Sequence, residues 1–147
     1  MNHIHLEGSW VVNAPREEIY KIVSDFEHMP KNFPAVAESV NIVEKQGNHQ
    51  TMLAKVKSFG KTFDVYMETE LLPGVGFKST NQSSFGTSGS EEFTMEDIEG
   101  GTKIHYTYEV DIHRPLLRLV ATPLIQWFAM WSWKRAVIDK LKQMVEK

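Results

Sequence analysis

Apolar and polar residues alternate at the start of the chain. Ile4, Leu6, Gly8, Trp10 and Val12 take one parity, and His3, His5, Glu7, Ser9 and Val11 the other. A period of two is the mark of a half-buried strand. In "NAPREEIYKIVSDFEHMP" the period lengthens, with Ile19, Ile22, Val23 and Phe26 at helical spacing. Pro15 suits the first turn of a helix, and Glu17 and Glu18 suit its positive end. Asp25 reads as an N-cap that opens a second short helix ending near Pro30 or Pro34.

From Val36 to His113 the pattern is strand and tight turn. Turn signals stand at "QGN" (46–48), "FGK" (59–61), "PGVG" (73–76), "SSFGTSG" (83–89) and "EGG" (99–101). The last strand alternates Ile104, Tyr106, Tyr108, Val110 and Ile112 against His105, Thr107, Glu109, Asp111 and His113. Six such strands predict an antiparallel meander that the N-terminal strand can join. The tail from Arg114 to Lys147 has no glycine, and Pro115 and Pro123 can each open a helix. The segment from Pro123 has room for six turns, and its apolar stripe includes Trp127, Met130, Trp131, Ile138, Leu141 and Val145. With no repeats or linkers, residues 1–147 read as one α+β domain.

Charge and composition narrow the function. Sixteen Lys and Arg against nineteen Asp and Glu give a net charge of -3, which argues against a nucleic-acid partner. The absence of cysteine excludes disulfides, thiolate catalysis and Cys-ligated metals. No signal peptide is visible, and a cytoplasmic location is the expectation. Leu116 to Trp133 is the one apolar run long enough to suggest a membrane span. It contains Arg118, Thr122, Pro123, Gln126 and Ser132, so stable insertion is not expected.

The stretch "VVNAPREEIYKIVSDFEHMPKNFPAVAESV" resembles the START-like, SRPBCC superfamily, which includes birch-pollen-allergen-like proteins and the polyketide cyclase/dehydrase group. The matching positions are Ala14, Pro15, Glu18, Ile19, Tyr20, Asp25 and Pro30, and "EGGTKIHYTYEV" is similar to the "GT" turn before the family's last strand. The resemblance implies a helix-grip fold: a curved seven-stranded antiparallel sheet wrapped around a long C-terminal helix, with two short helices after the first strand. It also implies a cavity between sheet and helix for a lipid, polyketide, quinone or similar apolar ligand.

Three of the four tryptophans, Trp127, Trp131 and Trp133, fall within seven residues. On an uninterrupted helix Trp127 and Trp131 share a face and Trp133 points away. Trp127 and Trp131 are therefore expected to face the sheet, opposite Trp10, Phe63, Val65, Met67, Phe77, Phe93, Met95, Tyr106 and Tyr108. Trp133 is assigned to packing beneath the short helices or to a homodimer contact. Lys134 falls within the apolar stripe, as a snorkelling lysine or as a cavity cation facing a ligand or Glu91. Ser79 and Asn81 share parity with Phe77 and could add polar contacts. Lys134, Tyr106, Tyr108 and Glu91 are the candidate acid, base and oxyanion groups if the pocket is a polyketide cyclase/dehydrase-like enzyme. A lipid or quinone carrier and an interaction domain with a filled core are the alternatives. His3, His5, His105 and His113 take the outward parity, so no metal site is expected, nor any cofactor.

Overall fold

The computed structural model describes residues 3–58, 61–84, 86–113 and 123–146. Strand β1 (His3–Val12) leads into helix α1 (Arg16–Val23), a 3₁₀ turn (Phe26–His28) and the short helix α2 (Met29–Asn32). Six strands follow: β2 (Ala37–Gln46), β3 (His49–Ser58), β4 (Lys61–Leu72), β5 (Gly76–Ser83), β6 (Thr87–Ile98) and β7 (Gly101–Ile112). The chain ends in α3 (Pro123–Trp133), a π-helical segment (Lys134–Ile138) and α4 (Asp139–Val145). The helix expected to open at Pro115 lies outside the described residues.

The seven strands form one antiparallel sheet in the order β1-β7-β6-β5-β4-β3-β2. Consecutive hairpins account for β2 to β7, and β1 closes the far edge against β7. Two register shifts between β2 and β3, at Ala37/Ser39 and Ile42/Glu44, are bulges that increase local twist. The sheet's inner parity is the one the alternation predicts. Val12, Met52, Phe77, Phe93, Ile104 and Tyr106 are buried from the strands, Ile19, Val23, Phe26 and Phe33 from the short helices, and Ile138, Leu141 and Val145 from the C-terminal helix. Each such side chain contributes about 1.5–3 kcal/mol when fully removed from water. The N-terminal end of the grip is sealed by Thr102 Oγ1, which donates to Ala14 O at 2.7 Å, and by Asn13 N, which donates to Glu146 Oε2 at 2.8 Å.

Asp25 does occupy the position before the 3₁₀ turn, but its side chain caps nothing. Its carboxylate instead accepts from His28 Nδ1 at 2.9 Å.

The C-terminal helix departs from the expected phase. An α-helix turns about 100° per residue, so a residue five positions before Ile138 would point away from it. The π segment bonds i to i+5 and inserts one extra residue in a turn. Trp133 thereby joins Ile138, Leu141 and Val145 on the inner face, and Met130 packs there with it. Trp127 and Trp131 rotate outward.

Candidate functional site

The inner face of the sheet carries a row of polar side chains that crosses five strands. Register places Gln50 (β3), Thr69 (β4), Ser79 (β5), Glu91 (β6) and Tyr108 (β7) side by side. The row on one side is apolar and aromatic: Leu71, Phe77, Phe93 and Tyr106. On the other side lie Met52, Met67, Asn81, Gly89 and Val110. Buried polar groups are costly unless hydrogen-bonded, and most of this row is. Thr69 Oγ1 and Ser79 Oγ share a buried bond of 2.8 Å. Tyr106 donates its hydroxyl to Glu91 Oε2 at 2.5 Å, and Tyr108 donates to Asn81 Oδ1 at 3.3 Å. Gln50 Oε1 is buried without a partner among the described residues.

The aromatic wall opposite is not the expected one. Trp133 stacks on Tyr106 at 3.9 Å between ring centroids, with Trp10 at 5.3 Å and Phe93 at 6.4 Å. Phe93 in turn stacks on Phe77 at 5.4 Å, and Phe77 meets the edge of Phe26. Gly8 makes room for this cluster, because a Cβ there would lie 2.4 Å from the Trp10 ring and 3.2 Å from Met130. Trp127 and Trp131, expected to face the sheet, are 63% and 42% exposed and stack on each other. Nothing in the sequence signals the π segment, so a regular helical wheel is out of phase from Ile138 backward.

The same rotation removes Lys134 from the apolar stripe. Its ammonium pairs with Asp139 at 3.2 Å and remains partly exposed. It does not face Glu91. Arg135 lies over the Trp131 ring at 5.0 Å, a cation–π contact on the outside of the helix. Of the remaining expected site residues, Trp10, Met67 and Tyr108 are half-buried against the core. Val65, Phe77, Ser79, Phe93, Met95 and Tyr106 are buried on the inner parity, and Phe63 and Asn81 are half-buried. Thr69 and Gln50 join them unannounced, although their parity with Met67 and Met52 is legible.

Electrostatics single out Glu91. Burial raises its pKa, and the Tyr106 hydrogen bond opposes the rise. Burial first, and then the Glu91 charge, pushes Tyr106 well above the phenol range and Tyr108 up to about 12. Both hydroxyls therefore remain protonated donors at neutral pH. Glu91 nonetheless retains accessible surface. Its carboxyl is thus a desolvated acid on the inner face, held by the Tyr106 hydroxyl.

The outer face is a separate environment. His3 donates to Asp111 at 2.8 Å and also to Glu109, and His5 bonds Glu109 and reaches Glu7 at 2.9 Å. His105 pairs with Glu7 at 3.2 Å and with Ser9 at 2.7 Å. Carboxylate bonds raise the pKa of His3 and His5. The histidines thus take the outward side as expected, and among the described residues no group of three or more could hold a metal ion. Two open grooves of about 350 and 510 Å³ also lie on this face, among residues such as Glu68, Thr80, Ser90 and Glu109, and the larger also touches Ser79 and Glu91. They are shallow troughs between long polar side chains and offer no apolar enclosure.

The sequence profile of the family described as polyketide cyclase/dehydrase and lipid transport matches residues 3–146. The chain belongs to that family. A search of curated protein sequences finds no match. Among solved structures, a protein from Thermus thermophilus superposes with a TM-score of 0.80 at 16% identity, covering 95% of each chain. A START superfamily protein from Mycobacterium smegmatis gives 0.80 at 18% identity, with 97% of each chain covered. The Zhui aromatase/cyclase from a Streptomyces strain gives 0.72 at 17% identity, covering 97% of this chain and 93% of that one. At these identities the likeness shows the fold alone: a seven-stranded antiparallel sheet with the helix-grip arrangement. Among the described residues no helix is long and apolar enough to cross a membrane.

Proposed function

We infer that this protein binds an apolar or amphipathic small molecule between the sheet and its C-terminal helix. The observation that carries the reading is Glu91: a desolvated carboxyl on the inner face, bonded by Tyr106, which itself stacks on Trp133 in the aromatic wall with Trp10. Apolar burial against Trp133, Phe93 and Met67 would supply most of the affinity, and the Glu91, Tyr108 and Asn81 end would orient the ligand. The π segment beside Trp133 supports the placement, because such segments recur at functional sites.

A cyclase or dehydrase activity on a polyketide is the second reading. It is supported by the family description and by Glu91, a carboxyl whose pKa burial raises and which lies within hydrogen-bond reach of Tyr106. The hollow would fold a flexible chain and hold its reacting carbons together. Lys134 has no part in it.

Native mass spectrometry of gently purified protein, followed by denaturing extraction, tests the binding reading. A discrete small molecule, or saturable quenching of Trp10 and Trp133 fluorescence by lipids, quinones or polyphenols, is expected. A clean mass and no fluorescence response to that panel would refute it in favour of a filled core. Loss of turnover, but not binding, in Glu91→Gln on a linear polyketide would identify the enzyme.

A further inference from the structure

The hydroxyl hydrogens of the two tyrosines beside Glu91 are already committed, and this fixes the kind of ligand head the hollow accepts. Tyr106 spends its hydrogen on Glu91 and Tyr108 spends its own on Asn81. Thr69 and Ser79 bond each other. Beside Tyr106, among the described residues, the second oxygen of Glu91 is left as an acceptor, while the Asn81 amide at Tyr108 keeps its N–H donors. Three strands away in the same row, Gln50 Oε1 is a further acceptor, buried with no described partner. Among the described residues no lysine, arginine or histidine pairs with Glu91; the expected candidate on the helix, Lys134, is turned to Asp139.

We propose that Glu91 is a specificity-determining residue that admits ligands whose buried polar group donates a hydrogen bond and rejects those whose buried group is a carboxylate. The proposal rests on the reading of the hollow as a ligand site. The physics is one-sided. A hydroxyl head offers a donor to the second oxygen of Glu91, which has no partner among the described residues. A carboxylate head puts a second negative charge beside Glu91 in a low-dielectric space, where no lysine, arginine or histidine among the described residues pairs with Glu91 to offset it. One of the two acids must then take up a proton, which weakens binding at neutral pH. Free fatty acids are thus excluded as ligands, while long-chain alcohols, sterols and phenols are admitted.

The test uses four probes that share one tail, titrated against Trp fluorescence at pH 7.5: 4-octylphenol, 4-octylbenzoate, 4-octylbenzylamine and headless octylbenzene. The expected order has 4-octylphenol at least roughly tenfold tighter than 4-octylbenzoate, a gap of about 1.4 kcal/mol. In Glu91→Gln, which brings its own donor and carries no charge, that ratio should shrink to within roughly threefold. The benzylamine, also a donor, should bind the native protein more tightly than the benzoate and should lose affinity in Glu91→Gln. Equal binding of phenol and benzoate by the native protein, with octylbenzene also bound, would overturn the gate and leave the hollow standing. An unchanged phenol-to-benzoate ratio in Glu91→Gln would overturn the assignment to this residue. No binding by any of the four would overturn the site and the gate together.

Discussion

Replacing one of two tryptophans six residues apart should show which of them supports the fold. Trp133→Ala removes an indole that stacks on Tyr106 at 3.9 Å and touches the Trp10 and Phe93 rings. Large-to-small changes at buried aromatic sites cost about 3–5 kcal/mol, of which each aromatic contact adds about 0.5–1.5 beyond its area. For a domain of this size that lowers Tm by roughly 6–20 °C. Trp127→Ala, at a position 63% exposed, should change stability by no more than about 0.5 kcal/mol. Urea unfolding followed by far-UV circular dichroism measures both without relying on the altered fluorophore. Should Trp133→Ala leave too little folded protein, Trp133→Phe keeps part of the stack and should lose less than half as much. The reasoning fails if Trp127→Ala costs more than Trp133→Ala, because the outward and inward faces of the helix would then be exchanged.

Three further outcomes follow from other parts of the molecule. His3 and His5 have pKa values raised above 6.5 by carboxylate bonds, so their stabilisation is present below 6.5 and is lost as pH rises through the folded values. Glu7 and Glu109 are lowered from 4.5 by the same bonds, so their share is lost as pH falls through the folded values. The Tm difference between the native protein and a His3→Gln/His5→Gln variant should therefore be larger at pH 5.5 than at pH 8, and a difference that grows toward pH 8 would contradict the pairing. Thr69→Val or Ser79→Ala alone orphans a buried hydroxyl and should cost about 1–3 kcal/mol, while the double variant costs less than the sum in denaturant unfolding. Lys134→Met breaks only a partly exposed pair with Asp139 and should alter stability by about 1 kcal/mol or less, with ligand titrations unaffected.

Strand chemistry is legible in the sequence because its period is fixed at two. With Ile104 and Tyr106 inward, Glu91, Phe93 and Met95 follow, and so do the outward histidines. Thr69 and Gln50 obey the same rule but do not stand out, since threonine and glutamine give no sign of burial by themselves. The order of elements, with the "AP" helix start and the "GT" turn, carries the fold. The helix misleads because its phase is cumulative: a single extra residue in one turn displaces every residue before it. That one event moves Trp127, Trp131 and Lys134 off the inner face and brings Trp133 onto it. Asp25 has the type and place of a cap, yet His28 supplies a competing partner.

The π segment also gives the C-terminal helix one residue of slack. Excising Arg135 would leave four residues where five now make the turn, and an ordinary α-turn of that length keeps Trp133 above Ile138. Chain length at this point can therefore change by one without disturbing the wall, whereas a change of one between Trp133 and Met130 would scramble it. The tolerance lies on the exposed side and the constraint on the enclosed side. The helix can in this way give locally at the π segment, while its far end stays anchored by Leu141 and Val145.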